Sequence, residues 1–451
     1  MDRYPTVAEV TESARRLVDR FPGTGRLRRV GTSRAGRPLL MLSVGHGPRH
    51  VLLVGRPHPD EPVGGATVLA VAELVARGDG PSHATDPAFA TWDILLCLDP
   101  DGAALSEGVA RTTSGTAAPT LADYYRAAFR PVAAEQPEWA PIVSRRLPES
   151  QALLRVIDEL RPFLQCSLHS VDAGGSWIQL TRDLPGLATP FGESAAELGI
   201  PLQHGTYDAL YWDNPSPAIH VLPPADSTAR LAAGSEDIER STWCAPVRYG
   251  GATAIIEVPM WATDLADDPS PHPDAANALH GLSALVRDGG RQVTAVLDRA
   301  RGFLPPAEES PPRRVLEWMA EDLYDLVAES WEPLARQAAE PTTDPHRLSR
   351  AQICALDVVA RRQPLRAAGL LLRLLEESDD RSAPALHREL DGLFTTWCTD
   401  FERSLNLRRV PVAAQVRHQT RTVVAAAHSA LHVLGHHQGG GPAGPRAQAS
   451  S

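Results

Sequence analysis

The chain of 451 residues lacks several features that would narrow its class at once. Its five cysteines lie far apart without a Cys-x-x-Cys pair, which argues against a disulfide framework and is typical of a cytoplasmic protein. Acidic residues outnumber basic ones, 55 to 44, so a general nucleic-acid binder is not expected. No run of about 18 apolar residues is available to span a membrane, and residues 1–21 lack the apolar core of a signal peptide. We therefore expect a cytoplasmic protein that binds neither nucleic acid nor membrane.

What the sequence does contain is an alternation of short apolar runs and amphipathic stretches. The runs predict strands at 51–54, 92–98, 163–169 and 251–258, and helical spacing of apolar residues predicts helices at 6–21, 63–77, 149–161 and 274–302. This alternation indicates an α/β fold over residues 1–304, with a mostly parallel mixed sheet flanked by helices. Residues 103–147 and 205–250 have little periodicity, which is typical of long functional loops or of disorder.

The last third of the chain has a different pattern. A Pro-rich linker is predicted at 305–312, and residues 313–436 show only helical periodicity, which indicates an all-α domain with a helix boundary at Pro364. Composition predicts a disordered tail at 437–451. The helical pattern does not indicate a function for this domain. If the protein forms an oligomer, we expect this domain to provide the contact.

Four titratable side chains fall at or beside the ends of the predicted strands. His58 and Glu61 lie three apart in the loop after the first strand, His169 ends the third, and Glu257 lies inside the apolar run of the fourth. Open α/β folds place their ligands at the carboxyl edge of the parallel sheet. Two His and one Glu form a zinc site with an open position, and a second Glu then acts as the general base.

Each of these residues also has an ordinary interpretation. His58 fits a polar surface loop, and His169 fits a hydrogen-bonded polar position. Glu257 fits a salt bridge, because buried charges are usually paired or metal-bound. The four residues taken together favour one zinc ion per chain.

Other candidate sites are weaker. Histidines recur every four residues at His428, His432 and His436, but no carboxylate or Cys converges on them, so an ordinary polar helix face is favoured. The glycines form no Walker or Rossmann fingerprint. Ser170, beside His169, is not part of a nucleophile elbow.

Several segments, in the same order, resemble the zinc carboxypeptidase family, the carboxypeptidase A-like metallopeptidases. The segments are VGTSRAGRPLLMLSVG (30–45), GRPHPDEPVG (55–64), DPDG (99–102), Asp123-x-x-Arg126, LPESQALL (147–154), CSLHS (166–170) and AIIEVP (254–259). Each is short, but together they cover roughly residues 5–300. The C-terminal third lies outside the resemblance.

The resemblance implies roles for individual residues. It implies that His58, Glu61 and His169 are the zinc ligands, and that Glu257 is the general base and then the general acid. It also implies that Asp123 orients a His ligand by accepting a hydrogen bond from the ring nitrogen that does not bind the metal. Contacts of this kind fix the orientation of the ligand and raise its basicity. On the same basis Arg111 is expected to polarise the scissile carbonyl.

Terminal-carboxylate recognition is the least secure part of the resemblance. The family's pattern places Arg126 on the substrate's free carboxylate through a bidentate pair. Tyr125 stands beside it where the family has Asn, and is expected to share in substrate binding. The family's mobile Tyr is left unassigned among Tyr207, Tyr211 and Tyr249.

The expected activity is that of a zinc-dependent metallocarboxypeptidase acting on peptide substrates. An alternative is a zinc amidohydrolase of small acyl-amino acids or modified peptides, which Tyr125 favours. A third is a catalytically inactive zinc-binding scaffold, against which the complete ligand set and Glu257 argue.

Overall fold

A computed structural model describes residues 2–113, 119–209, 212–223, 238–339 and 348–439. The side chains of 108–113 and 434–439 fall outside this description. No helix of the described residues is both long and apolar enough to cross a membrane.

A mixed β-sheet forms the centre of the N-terminal part. Its described strands are β1 (Gly25–Thr32), β2 (Pro38–Val44), β3 (Arg49–Val54), β4 (Ala90–Leu95), β5 (Leu164–Gly174), β6 (Trp177–Leu180), β7 (Asp213–Ser216), β8 (Ile219–Val221), β9 (Ala252–Ala262) and β10 (Arg408–Arg409). They are ordered β1-β2-β4-β3-β5-β9-β6-β8-β7, and β10 pairs with the end of β9. The central strands β4, β3, β5 and β9 are parallel, and antiparallel pairs flank them on both sides. The predicted α/β class with a mixed sheet is confirmed, with its parallel part at the centre.

Helices cover both faces of this sheet. Those of the α/β part are α1 (Val7–Arg20), α2 (Val63–Arg77), α3 (Pro100–Thr113), α4 (Leu121–Ala127), α5 (Pro148–Leu160), α6 (Ala188–Glu197) and α7 (Ala275–Ala300). Alternate residues of β3 serve opposite faces, because successive strand side chains point opposite ways. Val51 and Leu53 join the core beneath α1 and α2, and Leu52 and Val54 join the core beneath α5.

The sequence predicted the first helix closely. Thr6 caps α1 in a capping box with Glu9, as the spacing of the two residues indicates. In contrast, the stretch 103–147 contains α3 and α4 rather than loop alone. The segment Asp99-Pro100-Asp101-Gly102, which has the composition of a turn, instead begins α3, because the Asp99 side chain accepts from the Gly102 N–H at 3.0 Å.

The C-terminal third is helical, as predicted. Its helices are α8 (Pro311–Trp318), α9 (Tyr324–Ser330), α10 (Glu332–Ala339), α11 (Arg350–Glu376), α12 (Ala383–Ser404) and α13 (Val412–Gly439). α11 runs through Pro364 without a break, so the predicted helix boundary there is wrong. Apolar side chains on both sides of Pro364 are buried, and this packing holds the helix together despite the lost hydrogen bond.

The C-terminal helices share a core with the α/β part. One apolar cluster includes Tyr125 of α4 and Trp261 of β9 together with Leu371 and Phe401 of the C-terminal helices. α4 and α11 approach so closely that a Cβ on Gly369 would lie 2.1 Å from the Tyr125 carbonyl oxygen. The domain boundary at residue 304 stays a prediction, as does the oligomer contact.

Candidate metal centre

The loop between β3 and α2 presents His58 and Glu61 at the end of the central strands. The chain turns at Arg56, whose backbone is left-handed (φ 48°) and whose guanidinium donates to the Pro59 carbonyl at 3.0 Å. Gly64 at the start of α2 allows close contact with β5, since a Cβ there would lie 3.0 Å from the Leu168 carbonyl oxygen. The tight packing of α2 on β5 brings Glu61 next to His169.

Three donor atoms converge at this point. Glu61 Oε1 lies 3.0 Å from His58 Nδ1, and Glu61 Oε2 lies 2.9 Å from His169 Nδ1. The ligand atoms of these three residues all lie within 4.8 Å of one another. Two imidazole nitrogens and one carboxylate are the donor set of a zinc site that keeps a position open. His58, Glu61 and His169 therefore form a possible zinc site, as predicted from the sequence.

The protonation states of His58 and Glu61 suit metal binding. Burial lowers the pKa of His58, and the charge of Arg130 lowers it further, which favours the neutral imidazole. Burial opposes ionisation of Glu61, but Arg130, His58 and His169 outweigh it and hold the pKa of Glu61 well below its usual value. A neutral imidazole and an ionised carboxylate are the forms that bind metal ions.

Glu138 contacts the other nitrogen of His169. Its Oε2 lies 3.0 Å from His169 Nε2, and its Oε1 accepts from the Ser167 hydroxyl at 2.7 Å. A carboxylate at Nε2 keeps the proton there and leaves Nδ1 free to bind a metal. Glu138 lies in the aperiodic stretch 103–147, where no motif or spacing predicts it. The unusual length of that stretch is the one feature of the sequence that indicates functional residues there.

Glu257 completes the group from the neighbouring strand. It is the register partner of His169 on β9, so both side chains point to the same face of the sheet, with His169 Nδ1 3.8 Å from Glu257 Oε1. Burial, followed by the charge of Glu61, raises the pKa of Glu257 to about 8. Glu257 Oε2 is buried and has no hydrogen-bond partner among the described residues.

Asp123 does not orient a His ligand, so that prediction is wrong. Its carboxylate accepts from the backbone N–H and the hydroxyl of Thr120, both at 2.9 Å, in a capping box at the start of α4. Glu138 occupies the position behind His169 that was expected for Asp123.

The expectations for Tyr125 and Arg126 are corrected in the same way. Tyr125 is fully buried, and its hydroxyl donates to Asp172 at 2.6 Å. Arg126 pairs with Asp391, and its guanidinium lies 4.7 Å from the centre of the Phe394 ring. Neither residue lines the cavity at the metal centre. α4 turns its apolar face to the shared core, which directs Arg126 toward α12.

Arg111, the three candidate tyrosines and the C-terminal histidines remain to be placed, and only Tyr207 of the described ones lines the cavity. Arg111 is on α3, where its side chain lies outside the described residues. Tyr207 lines the cavity, Tyr249 donates to Asp158 on an exposed surface, and Tyr211 lies outside the described residues.

The C-terminal histidines form a separate group on α13. His428 Nε2 and His432 Nε2 lie 3.0 Å apart, and the His436 side chain is outside the described part of the chain.

A cavity of about 710 Å³ contains the metal centre. Six of the chain's nine tryptophans line it: Trp139, Trp177, Trp212, Trp243, Trp318 and Trp331. Three guanidinium groups also line it, and each is paired with an acid. Arg130 pairs with Asp60 at 3.0 Å and with Glu61, and Arg366 pairs with Asp60 at 3.1 Å. Arg362 lies 3.5 Å from Asp172.

The comparisons with known proteins agree with this geometry. Residues 10–173 match the family model described as zinc carboxypeptidase, and this segment contains His58, Glu61 and His169. The matched segment is therefore similar to the zinc carboxypeptidases, a class of zinc metallopeptidases. It covers about a third of the chain and includes all three residues of the metal centre. No curated protein matches the chain.

Solved structures of metallocarboxypeptidases are also similar. A metallo-carboxypeptidase from Burkholderia cenocepacia is 16% identical, with 56% of this chain and 60% of that chain covered and a TM-score of 0.36. Carboxypeptidase A from Helicoverpa armigera is 16% identical, with 57% and 65% covered and a TM-score of 0.36. Bovine thrombin-activatable fibrinolysis inhibitor in complex with tick carboxypeptidase inhibitor is 13% identical, with 56% and 86% covered and a TM-score of 0.35. The chain spans less than two thirds of the first two proteins.

Proposed function

We propose that this protein is a zinc-dependent metallocarboxypeptidase that hydrolyses the amide bond next to a free carboxylate. The observation that carries the proposal is the position of Glu257, 3.8 Å from a zinc ligand on the next strand and inside the same cavity. A general base must lie within reach of the water that attacks the carbonyl carbon. Glu257 Oε2 has no hydrogen-bond partner among the described residues, so it is available to accept the proton of that water.

The residues of the metal centre have two different roles in this proposal. His58, Glu61 and His169 would hold the zinc, which would polarise a carbonyl as a Lewis acid and make a bound water more acidic. Glu257 takes a proton from the attacking water and passes it to the leaving nitrogen. Burial destabilises the charged form of Glu257 and raises its pKa, so its carboxylate accepts a proton readily.

Arg130 is the guanidinium group best placed to contact the substrate carbonyl. It lines the cavity and pairs with Glu61, so it lies next to the metal ligands. Arg111 stays a prediction for the same role.

A second candidate function is hydrolysis of small acyl-amino acids. The observation that favours it is the contribution of the C-terminal helices to the cavity wall, which limits the space for a long peptide. The two functions share the same chemistry and differ in the size of the acyl part.

Glu257→Gln tests the proposal most directly. The variant should keep its zinc but lose at least ~10²-fold in kcat, the usual scale for a general acid–base group. Hydrolysis should be followed on acyl-amino acids and short peptides with free and amidated C-termini, together with zinc content by elemental analysis. His169→Ala should lose the zinc itself.

Glu193→Gln is a matched control, because Glu193 is exposed on α6 and does not line the cavity. Near-normal turnover by Glu257→Gln would exclude this base. Absence of hydrolysis by the zinc-loaded wild type across all substrates would contradict the proposed function.

A further inference from the structure

The C-terminal helices form one wall of the cavity that contains the metal centre. α8 contributes Trp318, and α11 contributes Arg362, Arg366 and Leu370, while Trp331 lies between α9 and α10. None of these residues belongs to the segment that matches the zinc carboxypeptidase family model. The wall therefore comes from a part of the chain outside the matched segment.

Arg362 and Arg366 are four residues apart on α11, and side chains at this spacing lie on the same helix face. Both line the cavity. Each guanidinium has five N–H donors in a planar fork, the shape that grips a carboxylate with two parallel hydrogen bonds. Arg362 has one hydrogen bond, to Asp172, and Arg366 has one, to Asp60.

Unpaired donors are common along this cavity. The Nε atoms of Arg362 and Arg366 are buried and have no acceptor among the residues that the structure describes. The indole N–H groups of Trp177, Trp243 and Trp331 are unpaired in the same sense. These N–H groups are shielded from the cavity, so they hold the two arginine stems in the wall rather than contact a ligand. The Arg362 and Arg366 side chains are 15% and 13% exposed, and the exposed part lies at other atoms, which are the ones a ligand carboxylate can reach.

The ion pairs of the three arginines that line the cavity also favour an anionic ligand. Arg130, Arg362 and Arg366 pair with two aspartates, Asp60 and Asp172. Arg130 also pairs with Glu61, whose carboxylate is engaged once a metal is bound. Three guanidinium groups then share the two carboxylates of Asp60 and Asp172, so one guanidinium is unmatched within this group. Asp208, on the short helical turn Tyr207–Ala209, and Glu257 also line the cavity, so the excess positive charge belongs to the arginine group and not to the cavity as a whole.

We propose that Arg362 and Arg366 bind the substrate's carboxylate and that the tryptophans of the same wall receive an aromatic acyl group. The substrate class is then a small N-acyl amino acid, since a cavity of about 710 Å³ has the size of a small-molecule site. This inference rests on the proposed function, which it deepens by assigning carboxylate recognition to a helix outside the matched segment.

Binding of benzoylglycine and of benzoylglycinamide to the zinc-loaded full chain tests the inference, with calorimetry as the readout. Wild type should bind the acid more tightly than the amide. Arg362→Gln and Arg366→Gln should each weaken acid binding by about 10- to 100-fold, the range for a charge-assisted hydrogen bond. Amide binding should change little in either variant.

Arg361→Gln is the matched control, because Arg361 is the neighbour of Arg362 on α11 but pairs with Asp357 at 2.7 Å and does not line the cavity. It should leave acid binding unchanged. If a Gln variant unfolds, Arg366→Lys keeps the charge without the fork and should still weaken acid binding. The circular dichroism spectrum and zinc content show that each variant is folded.

Equal binding of acid and amide by wild type would overturn the inference, as would equal loss of both probes in the arginine variants. Each titration is repeated in the Glu257→Gln background, so that hydrolysis of benzoylglycine does not contribute to the measured heat. A wild type that binds the acid selectively but hydrolyses no amide would instead overturn the proposed function and leave this carboxylate site in place.

Discussion

Glu138 illustrates how one side chain can fix the form of a metal ligand. It is buried, contacts His169 Nε2 and is held in place by the Ser167 hydroxyl. Burial opposes the ionisation of Glu138, but its hydrogen bond with His169 outweighs this and lowers its pKa, so the carboxylate stays charged. A charged acceptor at Nε2 raises the basicity of Nδ1, the atom that faces the other two ligands.

Glu138→Gln should therefore weaken zinc binding by about 10- to 100-fold, the usual effect of losing such a partner. An amide can still accept one hydrogen bond from Nε2 but carries no charge to hold the proton there. Competition with a chromogenic chelator measures the affinity. Glu135→Gln is the control, because Glu135 pairs with Arg314 and does not line the cavity. Unchanged zinc affinity in Glu138→Gln would contradict this role.

The metal ligands were predictable from the sequence and their surroundings were not. His58, Glu61 and His169 have residue types and positions at strand ends that are themselves the signal of a zinc site. Glu138 and Arg130 come from an irregular stretch, where spacing along the chain does not determine which side chains meet. Asp123 and Arg126 have the residue types and spacing of the family's motif. The orientation of α4 nevertheless directs Asp123 to Thr120 and Arg126 to Asp391.

At the scale of elements, α13 supports the strands that contain His169 and Glu257. The Gln419 side-chain N–H₂ donates to the carbonyl of His169 at 2.8 Å and to that of Ile256 at 3.1 Å. Its oxygen accepts from the Thr67 hydroxyl of α2 at 2.7 Å. One buried amide thus ties β5, β9 and α2 together behind the metal centre. The apolar pattern of residues 412–434 predicts a helix here but not this polar contact.

Gln419→Leu should reduce both stability and zinc affinity. The leucine fills similar space but leaves two buried carbonyls and one hydroxyl unpaired, and each unpaired group costs about 1–3 kcal/mol. We expect the free energy of unfolding to fall by at least about 2 kcal/mol, and zinc affinity to fall with it. Chemical denaturation and chelator competition measure the two effects.

The exposed Arg417 on the same helix is the control, and Arg417→Gln should change neither quantity. Loss of stability without any change in zinc affinity would show that α13 supports the fold alone. The prediction that it positions His169 would then be wrong.

At the scale of the whole molecule, the basic residues have an unusual composition. All 44 are arginine, and the sequence contains no lysine. Guanidinium groups stay charged when buried and form planar pairs with carboxylates. Arg130, Arg362 and Arg366 pair with carboxylates at the junction of the N-terminal and C-terminal parts. Buried pairs of this kind join the two parts in one defined orientation.

Removal of the C-terminal third is therefore expected to disrupt the whole protein. A fragment of residues 1–304 would expose the apolar cluster that Tyr125, Met260 and Trp261 share with α11 and α12. It would also leave Asp60 and Asp172 without two of their arginine partners, and unpaired buried charges are strongly destabilising. Size-exclusion chromatography and thermal unfolding should show an aggregated fragment without a cooperative transition.

Deletion of residues 440–451 is the control, because it keeps every contact described for the C-terminal helices. This shorter deletion should unfold cooperatively at the temperature of the full chain and keep its zinc. A monodisperse 1–304 fragment with a cooperative transition would contradict the prediction. It would show that the α/β part folds alone, and that the boundary deduced from the Pro-rich segment 305–312 separates two independent domains.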